Sequence, residues 1–206
     1  HDLVPQFDVV IHNFKHGGAD KLGLGYAQIK AIKPDIIYCS VTGYNTATAE
    51  AARPGYDILV QGEAGLMAMN GEAAQPPLKF GMAIVDMTTG LYAAQAVLAA
   101  LFARERTGKG RQIEMSLYDS GVMVTGYYGL DALLMGKDPE RYGNAHPSIV
   151  PYGMFYASDG PLIIAVGNNA QFDKFCRHVV MRPDIVDDPR FATNVERAKH
   201  RKILLP

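Results

Sequence analysis

Two short apolar runs separated by a helical segment constrain the fold of this chain more than any other sequence feature. Residues 8–12 and 35–41 are rich in Val and Ile, which are typical of buried strands. Between them, Tyr26 to Ile32 has a helical pattern that ends before Pro34. A strand, a helix and a second strand at this spacing indicate a βαβ unit, in which both strands lie parallel in one sheet. The chain is therefore predicted to be an α/β protein.

The strongest helical pattern follows Asp86 and extends to Arg106. Its apolar residues recur at steps of three and four, which places them on one face of a helix. Arg104 and Arg106 suit the carbonyl end of the helix dipole, and Gly108 is positioned to end the helix. The apolar face consists of Met87, Leu91, Ala94, Leu98 and Leu101.

Two pairs of residues have the spacing of a helix capping box. Ser116 and Asp119 come at the end of a predicted strand over residues 113–117 and precede a helical run to about Met135. Thr193 and Glu196 precede a last, basic helix. In such a pair the hydroxyl of the first residue accepts the backbone N–H of the second, so both sites predict helix starts.

Turn-forming residues over 143–151 mark the clearest domain boundary. Beyond it, residues 152–157 and 162–166 flank a turn and predict a β-hairpin, and residues 171–180 predict a helix. The expected organisation is part of a Rossmann-like large domain with a parallel sheet, followed by the start of a small α+β domain. The large domain covers residues 1–140 and contains the helix over 86–106, and the small domain covers 141–206.

Charge and cysteine content limit the classes of partner. The 206 residues include 20 Lys or Arg and 21 Asp or Glu, so the formal net charge is −1 and neither nucleic acid nor an anionic membrane is expected as the main partner. The two cysteines, Cys39 and Cys176, are predicted to be small buried apolar residues. No apolar run approaches the roughly 20 residues of a membrane span. We expect a cytoplasmic protein, and the abrupt ends of the chain suggest a piece of a longer one.

Three weaker patterns do not predict a site. Residues 23–25 resemble the opening of a dinucleotide-binding loop but lack its third glycine. His12 and His16 are four residues apart, but the strand pattern around His12 would not place them on one helical face, so no metal site is predicted. The chain lacks a Gly-x-Ser-x-Gly motif, so serine hydrolase chemistry is not expected.

Asp86 has two interpretations, which are compatible. As the residue directly before the strongest helix it can be an N-cap, where aspartate is favoured. It can also be a carboxylate presented between an apolar run and a helix, available as nucleophile or base. In that case the free N–H groups of the helix would keep Asp86 ionised and stabilise negative charge that develops nearby.

The residues around Asp86 resemble the class III CoA-transferases, the family of formyl-CoA transferase and carnitine CoA-transferase. Residues 81–94 match the family's D-x-x-x-G helix, residues 100–110 its A-L-x-x-R-x-x-T-G-x-G turn, and residues 115–119 a strand that ends in Ser-Leu. Further likeness lies in the N-F-x-x-G and R-P-G-Y-D segments and at the entrance to the small domain. Family members are nearly twice as long as this chain and form interlocked dimers, so the resemblance implies a central piece of a protein that is a homodimer.

In the family, the aspartate that matches Asp86 is the catalytic nucleophile. Its carboxylate attacks an acyl-CoA thioester and forms an acyl–aspartyl anhydride, and the released CoA thiolate then converts this aspartate into a CoA thioester. An incoming carboxylate reverses both steps and leaves with CoA. The resemblance therefore implies acyl-CoA and a carboxylic acid as partners, with coenzyme A as substrate and product and with neither a metal nor a redox cofactor.

The resemblance also assigns residues to CoA binding, each with an ordinary structural alternative as a surface cation or a core aromatic. A cation at Lys21 could face a CoA phosphate, and Phe14 could pack beside the adenine or pantetheine. The CoA-binding candidates are Asn13, Phe14, Lys15, Lys21, Arg53, Tyr56 and Asp57.

Tyr56 separates the transferases from the racemase branch of the superfamily, which resembles G-H-D at this place and uses that histidine in proton transfer. A phenol, with an ordinary pKa of about 10, is a poor partner for such a reaction. Formyl-CoA transferases have a run of glycines where this chain has Gly143, Asn144 and His146, so these three residues are substrate-pocket candidates. The difference favours a larger dicarboxylic or hydroxy acid over formate or oxalate. A racemase relative, or a CoA-binding piece without catalysis, remains the alternative to a CoA-transferase.

Overall fold

A computed structural model of the chain describes residues 1–205. The residues group into two compact units, one formed by 1–70 with 77–139 and the other by 71–76 with the residues from Glu140 onward. The short segment 71–76 therefore clusters with residues that follow it by about 70 positions, although it lies inside the range predicted for the large domain.

The first unit is built on a parallel sheet. Strands β1 (Val9–His12), β2 (Ile37–Thr42) and β3 (Arg111–Ser116) lie side by side in that order, and both pairs are parallel. The α/β class and the parallel sheet are confirmed. The helices of this unit are α1 (Gly18–Lys21), α2 (Tyr26–Ile32), α3 (Asp57–Glu63), α4 (Leu66–Met69), α5 (Ile84–Thr107), α6 (Leu117–Val124) and α7 (Gly126–Met135).

Two apolar clusters pack the helices of the first unit. One joins Ile29 of α2 to Ile36 and Tyr38 beside and within β2. The other joins Val60 of α3, Leu66 of α4 and Val85 of α5. The second cluster fixes the start of α5 against α3, which places residues 84–90 beside the segment that precedes α3.

Helix α5 buries a different face from its large apolar one. The buried residues are Val85, Thr89, Ala93 and Ala100, whereas Leu91 and Leu98 of the predicted apolar face are 62% and 66% exposed. At its end, Gly108 adopts the left-handed conformation with φ +65°, as predicted. Arg104 anchors the last turn through an ion pair of 2.9 Å to Asp8.

Within residues 1–205, α5 is the one helix that is long and apolar enough to cross a membrane by length and composition. Its apolar residues are interrupted by polar ones such as Asp86 and Gln95. Length and composition are weak evidence here, because the core helix of a water-soluble protein meets the same criterion. Helix α5 packs against β2 and β3 of the sheet, and Arg104 near its end pairs with Asp8, which directly precedes β1.

The second unit contains the predicted hairpin and helices. Strands β4 (Tyr152–Ala157) and β5 (Gly160–Ala165) are antiparallel, and helices α8 (Asn169–His178), α9 (Asn194–Lys199) and α10 (Arg201–Leu204) follow. Val166, Phe172, Cys176 and Phe191 form its core. Cys39 and Cys176 are both buried free thiols, as predicted.

Candidate active site

A cleft of about 800 Å³ opens at the carboxyl ends of β1 and β2 in the first unit. Ligands of open parallel sheets bind at this edge, because the loops that leave the strands converge there. The walls come from the loops after β1 and β2, the segment before α3 and the first turns of α5. The lining side chains include seven of the predicted site residues, Asn13, Phe14, Lys15, Arg53, Tyr56, Asp57 and Asp86.

A contact between two glycines brings the segment before α3 to the end of β2. A Cβ atom added at Gly55 would lie 2.1 Å from the Cα of Gly43, and one added at Gly43 would lie 2.4 Å from the Cα of Gly55. Only glycine permits the two backbones to approach so closely. The carbonyl of Gly43 also accepts the N–H of Tyr118, at 3.0 Å, so the same point is tied to the first turn of α6.

Asp57 caps helix α5. Its Oδ1 accepts the N–H of Val85 at 2.8 Å and the N–H of Asp86 at 3.1 Å. The helix begins at Ile84, so Asp86 lies in the first turn and is not the N-cap residue. The N-cap interpretation of Asp86 was wrong in this respect, because a carboxylate from another helix takes the capping role.

The capping contacts also change the expected electrostatics of Asp86. Besides the two N–H groups that donate to Asp57, the N–H of Ile84 donates to the carbonyl of Met82 at 3.0 Å. These three N–H groups of the first turn are therefore occupied, and the expectation that they would be free to stabilise nearby negative charge was wrong. The Asp86 side chain remains accessible, yet the surrounding protein partly desolvates it and the charge of Asp57 lies nearby, so the pKa of Asp86 is raised above its ordinary value.

Gln61 holds Asp57 in place. It is fully buried, and its Nε2 donates to Oδ2 of Asp57. Its Oε1 accepts the N–H of Phe80 at 2.8 Å, and its Nε2 lies 3.4 Å from the carbonyl of Met82. One buried amide therefore links the capping carboxylate to the chain that enters α5. Sequence analysis missed Gln61, because a single Gln inside a short helix has no signal without knowledge of its neighbours.

His12 shapes the loop after β1. Its Nε2 lies 2.8 Å from the hydroxyl of Tyr38, which itself donates to the carbonyl of Leu24 at 2.8 Å. Its Nδ1 accepts the N–H of Phe14, and the rings of His12 and Phe14 stack at 5.3 Å. Because the phenol already donates to a carbonyl, the imidazole is the donor at Nε2, and burial lowers the pKa of His12, which favours this neutral form. The histidine thus fixes the backbone and the ring of Phe14 in the loop after β1.

The two cations of the cleft differ in how they are paired. Arg53 forms ion pairs with Glu50 and Glu63, and its guanidinium lies 4.5 Å above the ring of Tyr44. These carboxylates raise the pKa of Arg53 further above its ordinary value. Lys15 is exposed and takes part in no ion pair among residues 1–205. Lys15 is therefore the more available cation for an anionic ligand.

The remaining candidates lie elsewhere. Lys21 is the last residue of α1 and is exposed, and it is not among the described residues that line the cleft. Gly143, Asn144 and His146 belong to the second unit, where the N–H of Gly143 donates to the carbonyl of Gly71 and Nδ1 of His146 accepts the N–H of Ile149. The assignments of all these residues to CoA or substrate binding stay predictions.

Comparison with known proteins identifies relatives over nearly the whole chain. Residues 1–205 match the family model described as CoA-transferase family III. The succinate–glutarate CoA-transferase of Agrobacterium fabrum is 42% identical over 97% of the chain and 50% of its own length, and the acetyl-CoA:oxalate CoA-transferase of Acetobacter aceti is 34% identical over 98% and 52%. The crystal structure of a CAIB/BAIF family protein from Brucella suis has 46% identity and a TM-score of 0.83 over 98% of this chain and 53% of that one. The chain thus spans about half the length of the relatives it matches.

Proposed function

Because the chain belongs to CoA-transferase family III, we propose that the protein transfers CoA from an acyl-CoA to a carboxylic acid with Asp86 as the nucleophile. One observation carries this proposal: the Asp86 carboxyl lies in the cleft, in the first turn of α5, with the carboxylate of Asp57 bound to its backbone N–H. A carboxylate whose backbone is held so firmly can meet a thioester carbonyl in a reproducible orientation.

The reaction consists of four acyl exchanges at one carboxylate. An oxygen of Asp86 attacks the thioester carbonyl of the donor, and CoA leaves as the thiolate while a mixed anhydride forms. The thiolate then attacks the Asp86 carbonyl, which releases the donor acid and leaves Asp86 as a CoA thioester. The acceptor carboxylate displaces the thiolate to form a second anhydride, and attack of the thiolate on the acceptor carbonyl returns Asp86 and releases the new acyl-CoA.

The chemistry needs no metal or redox cofactor, because each step exchanges a carboxylate for a thiolate at an acyl carbon. CoA is proposed to lie along the loop after β1, with Lys15 and Lys21 toward its phosphates and Phe14 beside an apolar or aromatic part, while Asn13, Arg53 and Tyr56 complete the wall. The charge of Lys15, which forms no ion pair with any described residue, supports this placement.

A dicarboxylic acid is the proposed substrate class. It is supported by the 42% identity to a protein named succinate–glutarate CoA-transferase and by the non-glycine residues at Asn144 and His146, which we propose as pocket residues. Oxalate, named in a relative of 34% identity, is the shorter alternative. We also propose that the protein works as an interlocked homodimer in the cytoplasm.

The test is chemical trapping of the intermediate. The full-length protein is incubated with succinyl-CoA and digested, and the peptide that contains Asp86 is searched for a CoA-derived mass that hydroxylamine removes. We expect labelling, and we expect the rate of CoA transfer from succinyl-CoA to glutarate to fall by roughly 10³-fold or more in Asp86→Asn. The matched control Asp119→Asn, which also lies in a first helical turn, should keep both label and rate.

Parallel measurements on the same protein distinguish a CoA-transferase from a racemase and from a CoA-binding protein without catalysis. Deuterium uptake from solvent at the 2-position of a 2-methylacyl-CoA, without transfer to an acid, would replace the transferase by a racemase. Binding of CoA with neither reaction would leave a CoA-binding protein without catalysis. A faster transfer to oxalate than to glutarate would overturn the substrate class.

A further inference from the structure

We infer that Asp57 is a positioning residue of this site, whose carboxylate fixes the first turn of α5 and thereby the carboxyl group of Asp86, while the buried amide of Gln61 fixes Asp57. The inference rests on the proposed role of Asp86 as nucleophile. It differs from the role that family resemblance implies for Asp57, which is contact with CoA.

Both carboxylate oxygens of Asp57 accept hydrogen bonds from other groups of the protein. Oδ1 accepts the N–H groups of Val85 and Asp86, and Oδ2 accepts the amide of Gln61. The side chain is only partly exposed, and the Cα of Asp57 follows the glycine contact at Gly55 by two residues. Both carboxylate oxygens therefore point into the junction between α3 and α5.

Three backbone N–H groups, those of Phe80, Val85 and Asp86 itself, are bonded to Asp57 or Gln61. Gln61 accepts the N–H of Phe80, which lies before α5. Asp57 accepts two N–H groups within the first turn of α5. The backbone on both sides of residues 81–84 is thereby tied to α3. Displacing the first turn of α5 would break two hydrogen bonds to one charged acceptor, and such bonds are stronger than those between neutral groups.

Asp57 also places a like charge beside Asp86. Partial desolvation first, and the charge of Asp57 second, raise the pKa of Asp86. Because the nucleophile must be ionised, activity should fall as the pH falls through this raised value. Removal of the charge should lower the pKa of Asp86 and extend activity to lower pH. The other titratable residues that line the cleft are His12, Lys15, His16, Arg53 and Tyr56.

Two substitutions separate a positioning role from a purely structural or CoA-binding one. In the full-length protein, Asp57→Ala removes the acceptor, and we expect kcat with succinyl-CoA and glutarate to fall at least about tenfold with KM for succinyl-CoA within about twofold. Asp57→Asn keeps an oxygen that can accept the two N–H groups, but its amide nitrogen cannot accept from Gln61 as Oδ2 does. It should recover part of kcat and move the acid limb of kcat/KM to lower pH. Asp119→Asn, the matched control in α6, should change neither quantity.

Hydrogen exchange provides a readout that does not depend on catalysis. The amides of Val85 and Asp86 should exchange about fivefold faster in Asp57→Ala and at the original rate in Asp57→Asn. A rise in KM with unchanged kcat would show that Asp57 contacts CoA instead and would overturn the inference, as would unchanged exchange and an unchanged acid limb. If the unaltered protein fails to transfer CoA, the proposed function fails, but exchange and NMR titration of the Asp86 carboxyl still decide the role of Asp57.

Discussion

At the start of α6, the hydroxyl of Ser116 accepts the N–H of Asp119 at 2.9 Å, three residues along the chain. At the start of α5, the carboxylate of Asp57 accepts the N–H of Val85 from 28 residues away. The first cap needs only its own helix, whereas the second requires that α3 has already packed beside α5. The comparison teaches that the position of Asp86 depends on the tertiary fold, while the start of α6 is encoded locally.

The cap of α5 by Asp57 is called the distant cap below, and Gly55→Ala tests the glycine contact that holds Asp57 in place for it. The new Cβ would lie 2.1 Å from the Cα of Gly43, so the segment that carries Asp57 must move. We expect a loss of about 3 kcal/mol in the free energy of unfolding, measured by urea denaturation. Gly81→Ala is the matched control, since a Cβ there meets nothing within 4 Å. Equal stability of the two variants would contradict the glycine contact.

Gln61→Met removes the buried amide at nearly constant side-chain length. The Phe80 N–H and one oxygen of Asp57 would lose their partner, so we expect a loss of about 2 kcal/mol in the free energy of unfolding. Thermal and urea denaturation provide the measurement, with Gln95→Met on the exposed side of α5 as control. If Gln61→Met is as stable as the control, the distant cap does not depend on Gln61.

Ser116→Ala should have the smallest effect. It removes a local N-cap, which costs about 1 kcal/mol of folding free energy, while Asp86 and its cap stay unchanged. The ratio of kcat to KM is therefore expected to stay within about twofold of the original value. Ser158→Ala, in the turn between β4 and β5, serves as control. A large loss of activity in Ser116→Ala would mean that the two helix starts are coupled, contrary to the comparison.

The sequence predicted best where neighbours in the chain decide the structure. The helix over 26–32 begins and ends as expected, and Gly108 ends α5. The predicted cap of α9 is present, with the hydroxyl of Thr193 accepting the N–H of Glu196. These features depend on backbone groups a few residues apart, and side-chain chemistry at those positions specifies them.

Prediction was weaker where a residue's partner is distant in sequence. Apolar periodicity identified α5 but not the face it buries, because the exposed pair Leu91 and Leu98 has the same seven-residue spacing as the buried pair Ala93 and Ala100, and only packing selects between them. The helix run to Met135 is divided by Gly126 at φ +56° into α6 and α7. The substrate-pocket candidates Gly143, Asn144 and His146 belong to the second unit and are not among the described residues that line the cleft.

By itself, the sequence determined the α/β class, the helix that carries Asp86, the local caps and, through its motifs, membership of a CoA-transferase family. Tertiary structure decided which group caps that helix, how Gln61 holds Asp57, and which cation of the cleft has no ion pair within residues 1–205. The physical reason is that a hydrogen bond or ion pair between residues tens of positions apart exists only once the chain has folded. Residue spacing can therefore nominate Asp86, but only packing orients it.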